Sequence, residues 1–258
     1  MVALLRVLRP SVDASLLRIY GSGRGRLLVC FHHAGGGASS FAGWPQILDD
    51  CSDVALVQLP GREDRLRDPL CESLPDLSAH LATTLAGMAH DRLVLLGHSM
   101  GATIAWWVAA SLWRDHGRRA AVLVSSQAAR ASVPAGWGAE SDMAAWFDLL
   151  GEQPPSALAE AEIRVLFRHT LEQDMEWMRR EFGRTLPGPI PLELTCVCAA
   201  DDRLANWAQM SDWQNFTSAN FEMHRLLGGH LHLVNRPEAV MRVARGLLER
   251  QQPLCHPN

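Results

Sequence analysis

One stretch decides the fold of this chain: Leu93-Val94-Leu95-Leu96-Gly97-His98-Ser99-Met100-Gly101-Ala102. An aliphatic run ends in Gly-x-Ser-x-Gly and passes into the helix-forming segment 103–110, which predicts a buried parallel strand turning sharply into a helix. Glycine suits positions 97 and 101 because backbones approach closely at such a turn and a Cβ would collide. Ser99 is then exposed at the tip of the turn. We predict that it is a nucleophile rather than an ordinary helix N-cap.

Strands and helices alternate on both sides of this turn. Apolar patterning predicts strands at 16–20, 26–31, 54–59, 121–124, 192–199 and 221–226, and helices at 40–48, 74–88, 205–216 and 237–248. Four strand-helix units in series predict a parallel sheet with helices on both faces. The fold class is therefore α/β, and 258 residues suit a single domain spanning 1–258.

The alternation breaks within residues 127–190, where apolar residues at helical spacing flank Pro154-Pro155 and no strand is predicted. We expect an all-helical insertion that forms a lid over the carboxyl edge of the strands, where ligands bind. Most Trp and Met residues of this insertion should belong to the core, with a minority facing a substrate pocket.

Composition excludes some function classes. The formal net charge is −4, whereas nucleic-acid-binding proteins are usually basic. The six cysteines include no Cys-x-x-Cys pair, so we expect reduced thiols. The apolar amino terminus is interrupted by arginine, and no stretch reaches the length needed to cross a bilayer. We therefore expect a cytoplasmic protein without nucleic-acid or membrane partners.

A serine nucleophile needs a base to take its proton and an acid to orient that base. In a sheet of this kind the chain order is Ser, acid, His, each following a strand. Asp201 and Asp202 both meet this condition after Ser99. We choose Asp202 because the acid commonly falls three positions after a small residue that closes the strand, here Ala199. Asp201 stays open as the alternative, although it also suits a cap of the following turn.

The histidine that follows the strand 221–226 is His230, and the glycines before it allow close approach to Ser99. His232 competes for the role of base, and the pair His230-x-His232 would also suit a metal ion. No convincing carboxylate set accompanies that pair, so we expect neither a metal nor a bound cofactor. We expect His98 to pack beside its strand.

The negatively charged oxygen of a tetrahedral intermediate needs hydrogen-bond donors. The N–H of Met100 directly follows the nucleophile, and we choose Ala34, in the glycine-rich loop 32–37, for the second. This loop has neither the Lys-Ser/Thr ending of a phosphate-binding loop nor the spacing of a dinucleotide fingerprint.

These segments together resemble type II thioesterases, the stand-alone editing hydrolases associated with nonribosomal peptide and polyketide synthases. The matching segments are Phe31-His32-His33-Ala34-Gly35-Gly36, Gln58-Leu59-Pro60-Gly61-Arg62-Glu63-Asp64-Arg65, Gly97-His98-Ser99-Met100-Gly101-Ala102, Asp201-Asp202 and Gly228-Gly229-His230. The resemblance implies an α/β-hydrolase fold. Carried over by position, it also implies the following residues for the triad and the oxyanion hole: Ser99, Asp202, His230, Ala34 and Met100.

The resemblance further implies that the substrate is a misloaded acyl group on the phosphopantetheine arm of a carrier protein, removed through an acyl-serine. A thiol leaving group, with a pKa of about 8.5, departs without strong acid assistance. Three positions depart from the family pattern. His32 stands where proline is usual, Ala199 where glycine is common, and Arg203 where proline usually follows the acid.

Carrier proteins are generally acidic, which makes exposed arginines candidates for docking. Those near the predicted site are Arg62, Arg65, Arg67, Arg179, Arg180 and Arg184. The alternative is a solvated face where each arginine has acidic neighbours. We expect the protein to act as a monomer.

Three other functions fit the same residues. A carboxylesterase or lipase would use the same triad on simple esters, and an acyltransferase would pass the acyl group to an alcohol or amine. A non-catalytic binding protein of this fold would not need Ser99, Asp202 and His230 together.

Overall fold

The computed structural model describes residues 16–21, 23–70, 73–129 and 143–250. The strands of this part of the chain are β1 (Leu17–Tyr20), β2 (Arg26–Phe31), β3 (Asp53–Val57), β4 (Arg92–His98), β5 (Ala121–Ser125), β6 (Leu194–Ala199) and β7 (Phe221–Leu226). They form one sheet in the order β1-β3-β2-β4-β5-β6-β7. Only β1 pairs antiparallel among them, against β3. The prediction of a mostly parallel sheet with a short edge strand is confirmed.

Helices cover both faces of this sheet. They are α1 (Trp44–Leu48), α2 (Leu74–Ala86), α3 (Met100–His116), α4 (Met143–Leu150), α5 (Ala161–Glu181), α6 (Trp207–Ser211), α7 (His232–Asn235) and α8 (Pro237–Glu249). Because side chains alternate along a strand, Leu27 and Val29 of β2 pack with α2 and α3, whereas Leu28 and Cys30 pack with α1 and α8. The two apolar layers thus bury the inner strands of the sheet, while the edge strands β1 and β7 are partly exposed.

Most predicted elements differ from the structure by at most two residues at either end, but two predicted helices and one predicted loop differ more. The predicted helix 40–48 is a 3₁₀ turn (Ala38–Phe41) followed by α1. The predicted helix 205–216 is α6 followed by a second 3₁₀ turn (Asp212–Phe216), and a capping box between Asn206 and Gln209 fixes the start of α6 at Trp207. The predicted loop 228–233 ends in the short helix α7.

The insertion is helical in its described part, where α4, a 3₁₀ turn (Ser156–Ala159) and α5 follow one another. Residues 130–142, which include Trp137, lie outside the described residues. The exposed first turns of α5 face solvent, while Leu171 and Met175 in its second half join the core of the sheet. The assignment of 1–258 to a single domain stays a prediction.

Four cysteines within the described ranges are free and buried, namely Cys30, Cys51, Cys196 and Cys198. Cys71 and Cys255 lie outside those ranges. None of the helices in the described part of the chain combines the length and the apolar character that crossing a bilayer requires.

The strand order places a crevice at one point of the sheet. The chain runs from β2 to β3 on one side and then returns to β4 on the other. The loops that follow β2 and β4 therefore diverge at the carboxyl edge, and such a switch point is where open α/β sheets bind ligands. The glycine-rich loop 32–37 and Ser99 both lie there.

Candidate active site

Ser99 lies at the sharp turn between β4 and α3, with φ 51° and ψ −123°. A Cβ at Gly97 would overlap the Gly101 carbonyl, and one at Gly101 would overlap the carbonyl oxygens of Phe31 and His32. The turn therefore requires glycine at both positions, as the sequence predicts. The strained serine is held at the carboxyl edge of the sheet, half-buried beside a cavity.

The three predicted triad residues meet at this edge. Nε2 of His230 lies 3.0 Å from Oγ of Ser99, and Nδ1 lies 3.1 Å from each carboxylate oxygen of Asp202. His230 and Asp202 are buried. In this arrangement Nδ1–H donates to the carboxylate, which leaves the Nε2 lone pair to accept the serine hydroxyl proton.

Asp202 is held in its ionised form. Its Oδ1 accepts hydrogen bonds from the N–H groups of Leu204 and Ala205, at 2.9 and 3.1 Å. Burial alone would raise the pKa of this carboxyl group. The hydrogen bond and the Coulombic interaction with His230, together with a hydrogen bond from the Ser126 hydroxyl, nevertheless hold that pKa below its usual value. The carboxylate is therefore available to orient and stabilise a protonated His230.

The structure places Asp202, and not Asp201, against the histidine. Asp201 is exposed, and its N–H donates to the Gly228 carbonyl at 3.0 Å. Arg203, one of the departures from the family pattern, donates to the Asp148 carbonyl at the lid helix α4, at 2.8 Å. This departure therefore adds a contact to the lid without displacing Asp202.

His232 and His98 belong to a buried network beside the triad. Nδ1 of His232 lies 3.2 Å from the Gly229 carbonyl oxygen, so this nitrogen carries the proton. Nε2 of neutral His232 then accepts from the Ser125 hydroxyl at 3.2 Å, and Ser125 in turn accepts from Nδ1–H of His98 at 2.9 Å. Both rings are thus committed to this network, and His98 packs beside its strand as predicted.

Burial keeps the neighbouring histidines neutral. It lowers the pKa of His98 and of His232, and it lowers the pKa of His33 to about 4 with the help of the positive charges of His230 and Arg62. In the part of the chain that the structure describes, no group of three or more His, Cys, Asp or Glu side chains is positioned to hold a metal ion.

The two predicted oxyanion donors belong to residues next to the nucleophile in sequence or in the same cavity. Met100 begins α3, and Ala34 lines the cavity next to Ser99. Among the described residues, neither N–H has a hydrogen-bond acceptor. The position and the free N–H groups suit an oxyanion hole, and this role stays a prediction.

The cavity beside Ser99 has a volume of about 660 Å³, and its lid side is apolar. Side chains of α4 and α5 that line it include Trp146, Phe147, Leu150, Phe167, Met175 and Met178. The rings of Phe147 and Phe167 stack with their centroids 6.1 Å apart. More Trp and Met residues face the cavity than the sequence predicts, because the second half of α5 forms its wall. Such a pocket suits an acyl chain.

Arg62 is not a docking residue, and this prediction is wrong. It is only 4% exposed, and its guanidinium group pairs with Asp174 at 2.6 and 2.7 Å. The sequence signal for Asp174 is its place among Thr170, Leu171 and Met175 in the apolar stripe of α5, where a carboxylate needs a partner.

The other arginines lie nearer the surface. Arg65 is largely covered and bonds to Asp68 and to the Gln58 carbonyl. Exposed or half-exposed arginines are Arg67, Arg179, Arg180 and Arg184. Of these, Arg179 pairs with Glu176 within α5, and Arg184, just after α5, pairs with Glu181 at the end of that helix. Docking by this group stays a prediction.

Comparison with known proteins decides the family. Residues 26–248 match the family model of the thioesterase domain. The chain belongs to the thioesterase family. The sequence of this thioesterase is 31% identical to that of thioesterase PikA5 of Streptomyces venezuelae, over 80% of this chain and 75% of PikA5. It is 27% identical to the medium-chain S-acyl fatty acid synthase thioesterase of Rattus norvegicus, over 80% and 81% of the two chains.

Solved structures show the same fold. RedJ, a thioesterase from the prodiginine biosynthetic pathway in Streptomyces coelicolor, superposes on this thioesterase with a TM-score of 0.73 at 26% identity, covering 93% of this chain and 96% of RedJ. BorB, a type II thioesterase from the borrelidin biosynthetic cluster, has a TM-score of 0.77 at 24% identity, with 93% and 100% covered. The predictions of an α/β-hydrolase fold and of a hydrolase acting on thioesters are confirmed.

Proposed function

We propose that this thioesterase is a stand-alone editing enzyme of nonribosomal peptide or polyketide synthesis, which removes misloaded acyl groups from the phosphopantetheine arm of carrier proteins. The observation that carries the proposal is the contact of His230 with both Ser99 and Asp202 at the mouth of an apolar cavity. The relatives support a role in such biosynthesis, because RedJ comes from the prodiginine biosynthetic pathway and BorB from the borrelidin biosynthetic cluster.

The first half of the reaction forms an acyl-serine. Oγ of Ser99 attacks the thioester carbonyl carbon while Nε2 of His230 takes the hydroxyl proton, and Asp202 stabilises the imidazolium. The N–H groups of Ala34 and Met100 bind the oxygen of the tetrahedral intermediate. Each such donor typically contributes about 3 kcal/mol to transition-state stabilisation. Collapse of the intermediate breaks the C–S bond, and the pantetheine thiol leaves with the proton from His230.

The second half releases the acid. A water molecule gives a proton to Nε2 of His230 and attacks the acyl carbon through the same oxyanion hole. Collapse of the second intermediate breaks the bond between the acyl carbon and Oγ of Ser99, His230 returns its proton to that oxygen, and a carboxylic acid is released. This chemistry needs no cofactor bound to the chain, and we place it in the cytoplasm with the enzyme acting as a monomer.

The thioester substrate fits the site for two physical reasons. The leaving thiol has a pKa of about 8.5, so departure needs little help from His230. The apolar lid side chains Trp146, Phe147 and Met178 exclude water from the acyl chain, so the cavity favours apolar acyl groups over acyl groups that carry a charge.

The test compares three substrates that carry one acyl group: a loaded carrier protein, the acyl N-acetylcysteamine thioester and the matching ethyl ester. We expect the carrier-bound thioester to give the highest kcat/KM, with free acid and free thiol as products. Ser99→Ala should fold and release neither product.

Each rival function predicts a different result in this experiment. An esterase would hydrolyse the ethyl ester as fast as the carrier substrate, and an acyltransferase would give an ester or amide when an alcohol or amine is supplied. A wild-type enzyme that a fluorophosphonate probe does not label at Ser99 would contradict any serine-hydrolase mechanism.

A further inference from the structure

A carboxylate of the lid helix reaches the loop that follows β2. Asp174 in α5 is 4% exposed, and it binds both terminal nitrogens of Arg62 in a forked ion pair at 2.6 and 2.7 Å. The same carboxylate accepts the N–H of Gly35 at 2.8 Å. Arg62 also donates to the Gly36 carbonyl at 3.1 Å. The two charged groups therefore hold consecutive residues of the glycine-rich loop.

Arg62 is itself fixed by the segment after β3. Its Nε donates to the Pro60 carbonyl at 3.2 Å, and its own carbonyl accepts from the Gln58 amide at 3.2 Å. Gln58 in turn accepts from the N–H of Ala38 at 2.7 Å, at the far end of the glycine-rich loop. These contacts fix the position of the guanidinium group independently of its ion pair with α5.

This arrangement determines where the N–H of Ala34 points. Gly36 donates its N–H to the His33 carbonyl at 3.1 Å. Because the peptide bond is planar and trans, the Ala34 N–H points opposite to the His33 carbonyl in the same peptide unit. Holding Gly35 and Gly36 therefore fixes the orientation of that N–H, and Ala34 lines the same cavity as Ser99.

Stability alone does not account for such a pair. A buried ion pair pays a large desolvation cost and is often no more stabilising than apolar side chains of the same volume. Its forked geometry does fix the relative orientation of the groups that it joins. Here those groups are a lid helix and a loop carrying a predicted oxyanion donor.

We propose that Arg62 and Asp174 are a positioning pair that aligns the oxyanion donor of Ala34 and makes this alignment depend on the seating of lid helix α5. The inference rests on the proposed function, because it requires Ser99 and the oxyanion hole to act on a thioester. Displacing the second half of α5 breaks the ion pair and leaves the Gly35 N–H without its acceptor. Lid opening that preserves the oxyanion hole is therefore confined to the exposed first turns of α5.

Asp174→Asn tests this inference, since the amide keeps the volume and one acceptor but turns N–H groups toward Arg62. We expect kcat/KM for an acyl N-acetylcysteamine thioester to fall about 10- to 100-fold, which is less than the loss of a whole oxyanion donor. A trifluoromethyl ketone, whose serine adduct places an oxyanion in the hole, should bind more weakly by the same factor. The matching thioether, which has no carbonyl at the reacting position, should bind as it does to wild type. Arg62→Lys, which keeps the charge and loses the fork, should give a smaller loss of the same kind.

The matched control is Glu193→Gln. Glu193 pairs with Arg92 at 2.7 Å in a largely buried ion pair at the opposite end of β4 from Ser99. Glu193 also pairs with Arg250, so this variant weakens two ion pairs, and a general loss of stability would lower activity in it as well as in Asp174→Asn. We expect wild-type kinetics for Glu193→Gln.

The outcomes separate this inference from the proposed function. If wild type hydrolyses the thioester only when Ser99 is present, and folded Asp174→Asn keeps the wild-type rate, the positioning pair is wrong and the proposed function stands. Equal weakening of the ketone and the thioether would also overturn the pair, because it would show a general pocket defect. If Asp174→Asn does not fold, the same three measurements, kcat/KM and the binding of the ketone and of the thioether, are made on Arg62→Lys. A wild type without Ser99-dependent hydrolysis would overturn the proposed function itself.

Discussion

Nδ1 of His230 lies at the same distance, 3.1 Å, from both carboxylate oxygens of Asp202. Asp202→Asn would replace one acceptor by an amide donor, so the tautomer with the proton on Nδ1 would lose its support. We expect kcat for thioester hydrolysis to fall roughly 10³- to 10⁴-fold with folding retained. Thiol release, followed with a chromogenic disulfide, measures this loss.

Asp201→Asn is the matched control for that variant. Asp201 is exposed and directs its backbone, not its carboxylate, toward the His230 loop. We expect its kcat to stay within about twofold of wild type, as for most surface substitutions. A large loss in Asp201→Asn with an active Asp202→Asn would reverse the assignment of the acid.

The hydroxyl of Ser125 joins two buried rings, so Ser125→Ala should act mainly on stability. It would leave Nδ1 of His98 and Nε2 of His232 without partners, which should cost about 1–3 kcal/mol in the free energy of unfolding. We expect kcat to fall less than tenfold, because His230 keeps its contacts to Asp202 and Ser99. Urea unfolding and steady-state kinetics check both values, with Ser211→Ala as a control at a more exposed hydroxyl.

Stability should decrease in mild acid. The folded protein holds the pKa of His33 at about 4 and lowers those of His98 and His232, whereas an unfolded chain protonates histidine at about 6.5. Between these values the unfolded state binds more protons, so the free energy of unfolding falls as the pH falls from about 6.5 toward 4. Above about pH 6.5 His33 is neutral in both the folded and the unfolded state, so it no longer makes stability depend on pH.

Urea unfolding at several pH values between 4 and 7 measures this dependence. Replacing His33 by Gln should lower the slope of unfolding free energy by up to about 1.4 kcal/mol per pH unit, the value for one proton. An unchanged slope in that variant would show that His33 takes up its proton at the same pH in the folded and unfolded states.

Docking of an acidic carrier protein should depend on exposed arginines and not on Arg62. We expect kcat/KM for a loaded carrier protein to fall as ionic strength rises, and Arg180→Glu to lower it several-fold. The acyl N-acetylcysteamine thioester should show neither effect. Salt-independent hydrolysis of the carrier substrate would remove electrostatic steering.

Much of the fold could be predicted because its signals are local. The buried strands are continuous aliphatic runs, and β2 and β7 have the predicted limits. The two shortened helices could not be predicted as well. Apolar spacing does not distinguish a 3₁₀ turn from an α-helix, and such turns occupy Ala38–Phe41 before α1 and Asp212–Phe216 after α6.

The sequence by itself determined the nucleophile turn, because Gly97, Ser99 and Gly101 satisfy a steric requirement within five residues. Only the tertiary structure decided between Asp201 and Asp202, which are adjacent in one loop and differ in the direction of their side chains. It also decided that Arg62 is a buried partner and not a surface charge. The carboxylate that pairs with Arg62 belongs to Asp174, 112 residues away in the sequence. Whether a charged side chain is buried and paired depends on which distant residues the fold places next to it.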